Sequence, residues 1–303
     1  MSHEKSVMPH VCILLATLNG MKYLKQQLAS INGQIGVRIS ILANDDGSSD
    51  GTLNYLESLK LSGEILTVSK SNQIGSTRAF LNLLDSAPNA DYFAFCDQDD
   101  VWEPHKLITL VNLIQSIEKP AISFSGRSLI DANGFLIGSE LVQEKHIGIR
   151  NALIQNIIPG NTLILNRSGR EIAKENFSPD IQHYDAWLYL LMTCFGQVRF
   201  SSQLLTKYRI HGENQVGISR NLRSRFQNIE KSLRSFKLNA LNVLKSAEHE
   251  ISSENRSKVD LFLALLDCSH IRQRIVLLRL LKLSRKSMFE TVLFNCYLAF
   301  RRS

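Results

Sequence analysis

The sequence predicts an α/β protein with a mostly parallel central sheet and flanking helices, followed by a C-terminal helical extension. Three observations carry that expectation. Short apolar runs alternate with amphipathic stretches as far as about Gly217, the pattern of a sheet with crossover helices. Two of the runs end abruptly in clusters of aspartate. Beyond Gly217 the strand signals stop, and the chain becomes helical, leucine-rich and basic. The expected division is therefore 1–217 for the α/β domain and 218–303 for the extension. With 303 residues, 44% hydrophobic and 21% charged, the chain is long and apolar enough to bury a full core.

The elements follow in order. Val11–Leu15 is an unbroken apolar run, as expected of a strand covered on both faces. A helix follows, with Leu24, Leu28 and Ile31 at spacings of four and three. Ile39–Ala43 is a second strand, ending at Asn44-Asp45-Asp46-Gly47. Ser48 or Ser49 is placed to cap the next helix, which carries Leu53, Leu56 and Leu59. Ile65–Val68 reads as a third strand, and Gly75–Ser86 as a helix buried through Phe80, Leu83 and Leu84. Tyr92–Cys96 is a fourth strand, cut off by Asp97-Gln98-Asp99-Asp100. Pro104 suits a helix start, and Leu107, Leu110, Val111 and Ile114 form the stripe behind it. Ala121–Phe124 and Thr162–Leu165 are further strands, and Tyr184–Phe195 is a mostly apolar helix.

Ligands of open α/β sheets bind beyond the carboxyl ends of the strands. Two aspartate groups delivered there repel one another, and a cation would relieve the cost. Hard oxygen donors favour Mg²⁺ or Mn²⁺, held by one or two carboxylates plus substrate phosphates. Asp45-Asp46 also fits plain turn chemistry. Asp97, Asp99 and Asp100 place three carboxylates within four residues, more than a helix cap requires.

Ala16-Thr17-Leu18-Asn19-Gly20, Asp45-Asp46-Gly47-Ser48-Ser49-Asp50-Gly51-Thr52 and Cys96-Asp97-Gln98-Asp99-Asp100-Val101-Trp102 resemble the family 2 glycosyltransferases of the GT-A fold. The nearest resemblance is to bacterial rhamnosyltransferase-like members that build surface polysaccharides. Asn72 to Phe80, Gly160-Asn161-Thr162 with Asn166-Arg167, and Tyr208-Arg209-Ile210-His211 to Asn214-Gln215-Val216-Gly217 resemble that subgroup too. The resemblance implies a nucleoside-diphosphate sugar donor. Thr17 and Asn19 would lie against its nucleotide, and Asp45 or Asp46 would contact base or ribose. Asp97 and Asp99 match the DxD motif that holds donor and metal, Mn²⁺ or Mg²⁺. Thr17-Leu18-Asn19 departs from the commoner Pro-Tyr-Asn of the first strand's exit.

An inverting transfer also needs a base for the acceptor hydroxyl. His183-Tyr184-Asp185-Ala186-Trp187 offers Asp185 at a helix start, where a cap is the alternative reading; the resemblance favours the base. Arg209 is suited to bidentate phosphate contact, and the resemblance implies that Arg209 and His211 close over the pyrophosphate. Trp102 supports the site or fills the core.

The formal charge of +7 calls for an anionic partner. Residues 271–303 carry Arg272, Arg274, Arg279, Lys282, Arg285, Lys286, Arg301 and Arg302 against the single acidic Glu290, interleaved with leucines. That segment fits an anionic membrane interface or a helical lid with a solvated face. No run reaches the ~18 apolar residues of a spanning helix. Met1–His10 lacks an apolar signal-peptide core, and the five cysteines have no pairing or metal spacing. The expected location is cytoplasmic, at the inner membrane face where the glycan acceptor is lipid-linked. A nucleotidyltransferase making the activated sugar is the rival enzyme, but the first strand's exit lacks the glycine-rich basic loop. Nucleic acid is not an expected partner, since the basic tail comes with no recognised module and the acidic loops repel phosphate backbones.

Overall fold

A computed structural model of the protein describes residues 8–212, 222–245 and 251–301. Asn214–Gly217, Arg302 and the expected boundary at 217/218 lie outside the described residues. In chain order the first elements are β1 (His10–Thr17), α1 (Met21–Asn32), β2 (Arg38–Asp45), α2 (Thr52–Leu61), β3 (Thr67–Lys70), α3 (Ser76–Ser86) and β4 (Tyr92–Cys96). Then come β5 (Val101–Trp102), α4 (Lys106–Ile114), β6 (Ala121–Ile130), β7 (Leu136–Glu140), α5 (Ile149–Ala152), β8 (Leu163–Asn166) and α6 (Arg167–Glu175). The last are α7 (Tyr184–Phe195), β9 (Gln197–Arg209), α8 (Leu222–Leu244), α9 (Ser253–Asp267), α10 (Ile271–Leu281) and α11 (Met288–Phe300).

Among the described residues, nine strands form one sheet in the order β3-β2-β1-β4-β8-β6-β9-β5, with β7 paired to β6. Only its first half is parallel. β1 pairs with β2 and β4, and β2 with β3, all parallel. The pairs β4–β8, β6–β8, β6–β7 and β5–β9 are antiparallel. The sheet is therefore mixed rather than mostly parallel. The reason is topological: after α4 the chain enters β6, one strand beyond β4, and β8 later fills the space between them, antiparallel to both.

The parallel half explains the apolar runs. Val11 to Leu15 and Phe93 to Cys96 are fully buried because helices cover both faces of β1 and β4. Each large apolar side chain taken from water there stabilises the fold by roughly 1.5–3 kcal/mol. Cys12 and Cys96 are buried free thiols, acting as small apolar fillers. Trp102 is 2% exposed and belongs to this core. The cap expected from Ser48 or Ser49 is instead supplied by Asp50. Its Oδ1 accepts the Thr52 amide (3.0 Å) and its Oδ2 the Met21 amide (3.0 Å), so one carboxylate serves the first turns of α2 and α1.

Two compact units interleave along the sequence. The first comprises the chain up to Leu141, Gly160–Lys174 and Arg199–Gly212, and holds nearly all of the sheet. The second comprises Val142–Pro159, Glu175–Val198 and the described part of Glu213–Ser303. In it the C-terminal helices share a core with α7. Trp187 is fully buried, donates Nε1–H to Asn242 Oδ1 (2.7 Å) and packs against Phe177. Phe236 and Val243 of α8, Phe262 and Leu265 of α9, and Phe294 and Leu298 of α11 are buried. No described helix is long and apolar enough to cross a membrane.

Candidate active site

Strand register gathers the aspartates. Thr17 is paired with Asp45 across β1 and β2, and Leu15 with Cys96 across β1 and β4. The exits of these three parallel strands therefore share one edge, where strand order runs outward in both directions from β1. Thr17, Asn19, Asp45, Asp46, Asp97 and Asp99 come together there.

The first loops are tightly tied. The Thr17 hydroxyl donates to Asp45 Oδ2 (3.0 Å), which also accepts from the Ser48 hydroxyl (2.6 Å). Asp45 Oδ1 takes the Ser48 and Gly47 amides. Asp46 organises the next loop: Oδ1 accepts the Ser71 hydroxyl (2.7 Å) and the Ile74 amide (2.9 Å), and Oδ2 the Gly75 amide (2.8 Å). Gly75 sits at φ +83, a conformation that glycine adopts without penalty. Both aspartates thus perform the turn chemistry open to them from the sequence, and both are at most 5% exposed. Asn19 is left-handed (φ 50), and its side-chain oxygen accepts the Ser49 amide (2.9 Å).

Gln98, between the two motif aspartates, was not singled out by the sequence. Its amide clasps the backbone of Leu18, accepting Leu18 N–H at Oε1 (2.7 Å) and donating Nε2–H to Leu18 O (2.9 Å). The clasp joins the exit of β1 to the exit of β4.

Asp99 Oδ2 lies 2.8 Å from His211 Nε2, with both side chains largely buried. The two are 112 residues apart in sequence, and β9 brings His211 in. The carboxylate oxygen suits Mg²⁺ or Mn²⁺, whereas the imidazole nitrogen is a donor preferred by softer divalent ions. Among the described residues no group of three or more His, Cys, Asp or Glu could hold an ion.

Arg209 differs from the phosphate contact expected of it. It is 2% exposed. Its Nε donates to Asp99 O (2.9 Å), Nη1 to Asp131 O and Ala132 O (3.3 Å each), and Nη2 to Gln26 Oε1 (2.7 Å). The guanidinium also stacks 4.6 Å from the Tyr23 ring, whose other neighbours are Lys22 and His211. In this arrangement Arg209 braces the loop after β4 against the turn between β6 and β7.

Asp100 is fully buried beneath the loop. Its Oδ2 accepts from Asn161 Nδ2 and its Oδ1 from the Arg209 amide. Burial, reinforced by the charge of Asp99, pushes its carboxyl above the usual range. Lys106 is buried close by, donating Nζ–H to Asn161 O (2.5 Å) over the face of Trp102. Burial lowers its pKa, while Cys96, Asp100 and Asp97 pull the other way. A lysine opening an amphipathic helix carries no signal of such burial.

Asp185 belongs to the second unit, in the first turn of α7, where no side-chain cap bond is made by His183. Its Oδ1 accepts the Ala186 amide (2.8 Å). Burial raises its pKa, opposed by that bond, the charge of His183 and a hydrogen bond with Asn156. Asn156 lies in a loop and was not marked by the sequence.

The sequence profile of glycosyl transferase family 2 matches residues 12–165, more than half of the 303. The chain belongs to that family. The family 2 match runs from β1 through most of β8, and so includes the three strand exits, Asp97 and Asp99 but not Asp185, Arg209 or His211. An uncharacterized glycosyltransferase of Rickettsia felis is 26% identical over 213 residues, 68% of this chain and only 35% of that protein. The dTDP-rhamnosyl transferase RfbG of Shigella flexneri is 29% identical over 233 residues, covering 71% of this chain and 78% of that one. Among solved structures, S. aureus TarS 1–349 in complex with UDP-GlcNAc superposes with a TM-score of 0.57 at 16% identity, over 90% of this chain and 80% of that one. The Pyrobaculum calidifontis mannosyltransferase PcManGT, in complex with GDP-Man and Mn²⁺, gives 0.51 at 13% identity, over 97% and 86%. At these identities the structures establish the shared GT-A fold.

Proposed function

We propose that this family 2 member is an inverting glycosyltransferase that moves a sugar from a nucleoside-diphosphate donor to a glycan or lipid-linked glycan acceptor in cell-surface polysaccharide synthesis. The observation that carries the reading is the Asp99–His211 pair, set at the edge where β2 and β4 deliver their acidic exits on either side of β1. Rhamnose is the proposed sugar, on the likeness to the Shigella flexneri rhamnosyl transferase.

Thr17, Asn19, Asp45 and Asp46 form the nucleotide end of the site, and Asp97 and Asp99 its diphosphate end. Asp99 and His211 would hold a divalent cation, with Asp97 beside them. Such an ion offsets the charge that develops on the departing diphosphate. Asp185 takes the proton of the acceptor hydroxyl as its oxygen bonds to the anomeric carbon. The bond from that carbon to the diphosphate oxygen breaks on the opposite face, giving inversion. A carboxylate whose pKa is raised by burial is a better proton acceptor than a solvated one.

The test is release of nucleotide from UDP-, GDP- and dTDP-sugars, with and without Mn²⁺ or Mg²⁺, by wild type, Asp99→Ala and Asp185→Asn. One donor should turn over, chelator should abolish turnover, and both variants should lose it. Failure of every donor to bind in the presence of metal would reduce the acidic exits to structural turns.

A further inference from the structure

The last two helices leave an apolar stripe uncovered. α11 turns Phe294, Leu298 and Ala299 inward. On its other side Met288 (83% exposed), Phe289 (73%), Val292, Leu293 and Phe300 (68%) face outward. Spacings of four and seven residues keep these positions on one side of a helix. Val276 and Leu280, one turn apart on α10, are also exposed. A soluble surface rarely leaves so many large apolar side chains together.

The charges around the stripe share one sign. Seven cations of 271–301 divide cleanly. Arg274 is 2% exposed and donates to Cys268 O, and Arg301 pairs with Glu230; both serve the fold. Arg272, Arg279, Lys282 and Lys286 are exposed. Glu290, the one acidic residue of the segment, is engaged by Arg285 and Lys286. At the start of α11, a hollow of about 440 Å³ is lined by Lys145, His146 and Lys286 together with Ser287, Met288 and Thr291.

We propose that α10 and α11 dock this unit on an anionic phospholipid surface. The stripe of α11 enters the headgroup–acyl boundary, while the exposed cations and the basic hollow meet lipid phosphates. At 13 residues α11 is about 20 Å long, short of the ~30 Å hydrocarbon core, so it lies in the interface and does not span. Apolar area and basic flanks belong to one lipid class here. A protein partner would need matching acidic residues, and a neutral bilayer would offer the exposed cations no anionic headgroup.

The experiment is co-sedimentation of the full chain with phosphatidylcholine vesicles, alone or with about one third phosphatidylglycerol. Binding to the anionic vesicles is expected, falling about tenfold or more at high salt or in Arg272→Glu/Arg279→Glu. Phe289→Glu/Leu293→Glu, both at exposed positions, should abolish it with the circular dichroism spectrum unchanged. Donor hydrolysis by that variant should match wild type, which separates this inference from the reading of the catalytic site. Wild type remaining in the supernatant with anionic vesicles overturns the proposal, as does binding that survives the glutamates. A concentration-dependent dimer dispersed by the same double substitution would assign the stripe to a second copy of the chain, and equally overturns it.

Discussion

Gly20→Ala tests how the β1 and β4 exits are joined. The backbone of Gly20 (φ −97, ψ 0) is open to alanine, so no left-handed strain intervenes. The added Cβ would stand 2.2 Å from Gln98 Oε1 and 2.5 Å from Gln98 Cδ, far inside contact distance. Gln98 must leave, and its two hydrogen bonds to Leu18 go with it. At about 0.5–1 kcal/mol for each such solvent-accessible bond, the clasp contributes about 1–2 kcal/mol. Alanine in place of glycine before the first turn of α1 costs roughly 0.5 kcal/mol more. Gln98→Ala should lose the clasp alone, about 1–2 kcal/mol. Truncating Gln98 also removes the atoms nearest to a side chain at position 20. The double variant should therefore be only roughly 0.5 kcal/mol worse than Gln98→Ala. Urea unfolding of the four proteins gives the coupling, and the Michaelis constant for the donor should rise in both single variants. Strict additivity in the cycle would refute the claim that Gly20 is required to make room for Gln98.

Three further outcomes follow. His211→Ala and Asp99→Asn should each lower metal-stimulated kcat/KM by about a hundredfold or more, about 2.7 kcal/mol of transition-state stabilisation, with melting temperatures near wild type; full activity in His211→Ala would remove it from the cation site. The acid limb of kcat/KM should lie above the ordinary carboxylate range, because burial raises the pKa of Asp185 and only its ionised form accepts a proton. That limb should vanish with the residual rate of Asp185→Asn, and an unshifted limb would argue against Asp185 as the base. Lys106→Met should destabilise the protein by about 1–3 kcal/mol in urea titration, since Asn161 O loses its shorter buried donor and keeps only the Thr206 hydroxyl at 3.4 Å, and an unchanged midpoint would show that the lysine contributes nothing there.

Legibility in the sequence tracked burial on both faces. β4 and α7 were expected with the bounds they have, because an apolar run covered on two sides has few alternative readings. β3 was expected two residues early. It is an edge strand, only Val68 of it is buried, and the apolar residues before it drew the assignment forward. β9 went unread over 13 residues because Gln197–Arg209 alternates weakly, with its buried positions irregularly spread along it. That omission mattered for the site. Without β9 only the family resemblance brings His211 and Asp99 to one end of the site, and the sheet reads as mostly parallel. The aspartate edge needed no such knowledge, since parallel neighbours deliver their carboxyl ends to one edge of the sheet.

Several cations of this basic chain are spent inside the fold, and the reason is physical. A loop carrying Asp97, Asp99 and Asp100 folds against its own repulsion, and cations placed behind it offset that cost. Lys106 lies behind Asp100, and Arg209 fastens the Asp99 carbonyl from within. Arg170 does similar work elsewhere, donating to the Leu84, Asp85 and Ala87 carbonyls at the end of α3, where a helix presents its negative pole. Arginine and lysine so used are complementary to the fold's own carbonyls and carboxylates. The remaining excess is concentrated in α10 and the turn that follows it, both in the second unit. A basic protein with an acidic strand edge is then no contradiction: one population of cations steadies the edge, and the other belongs to the second unit.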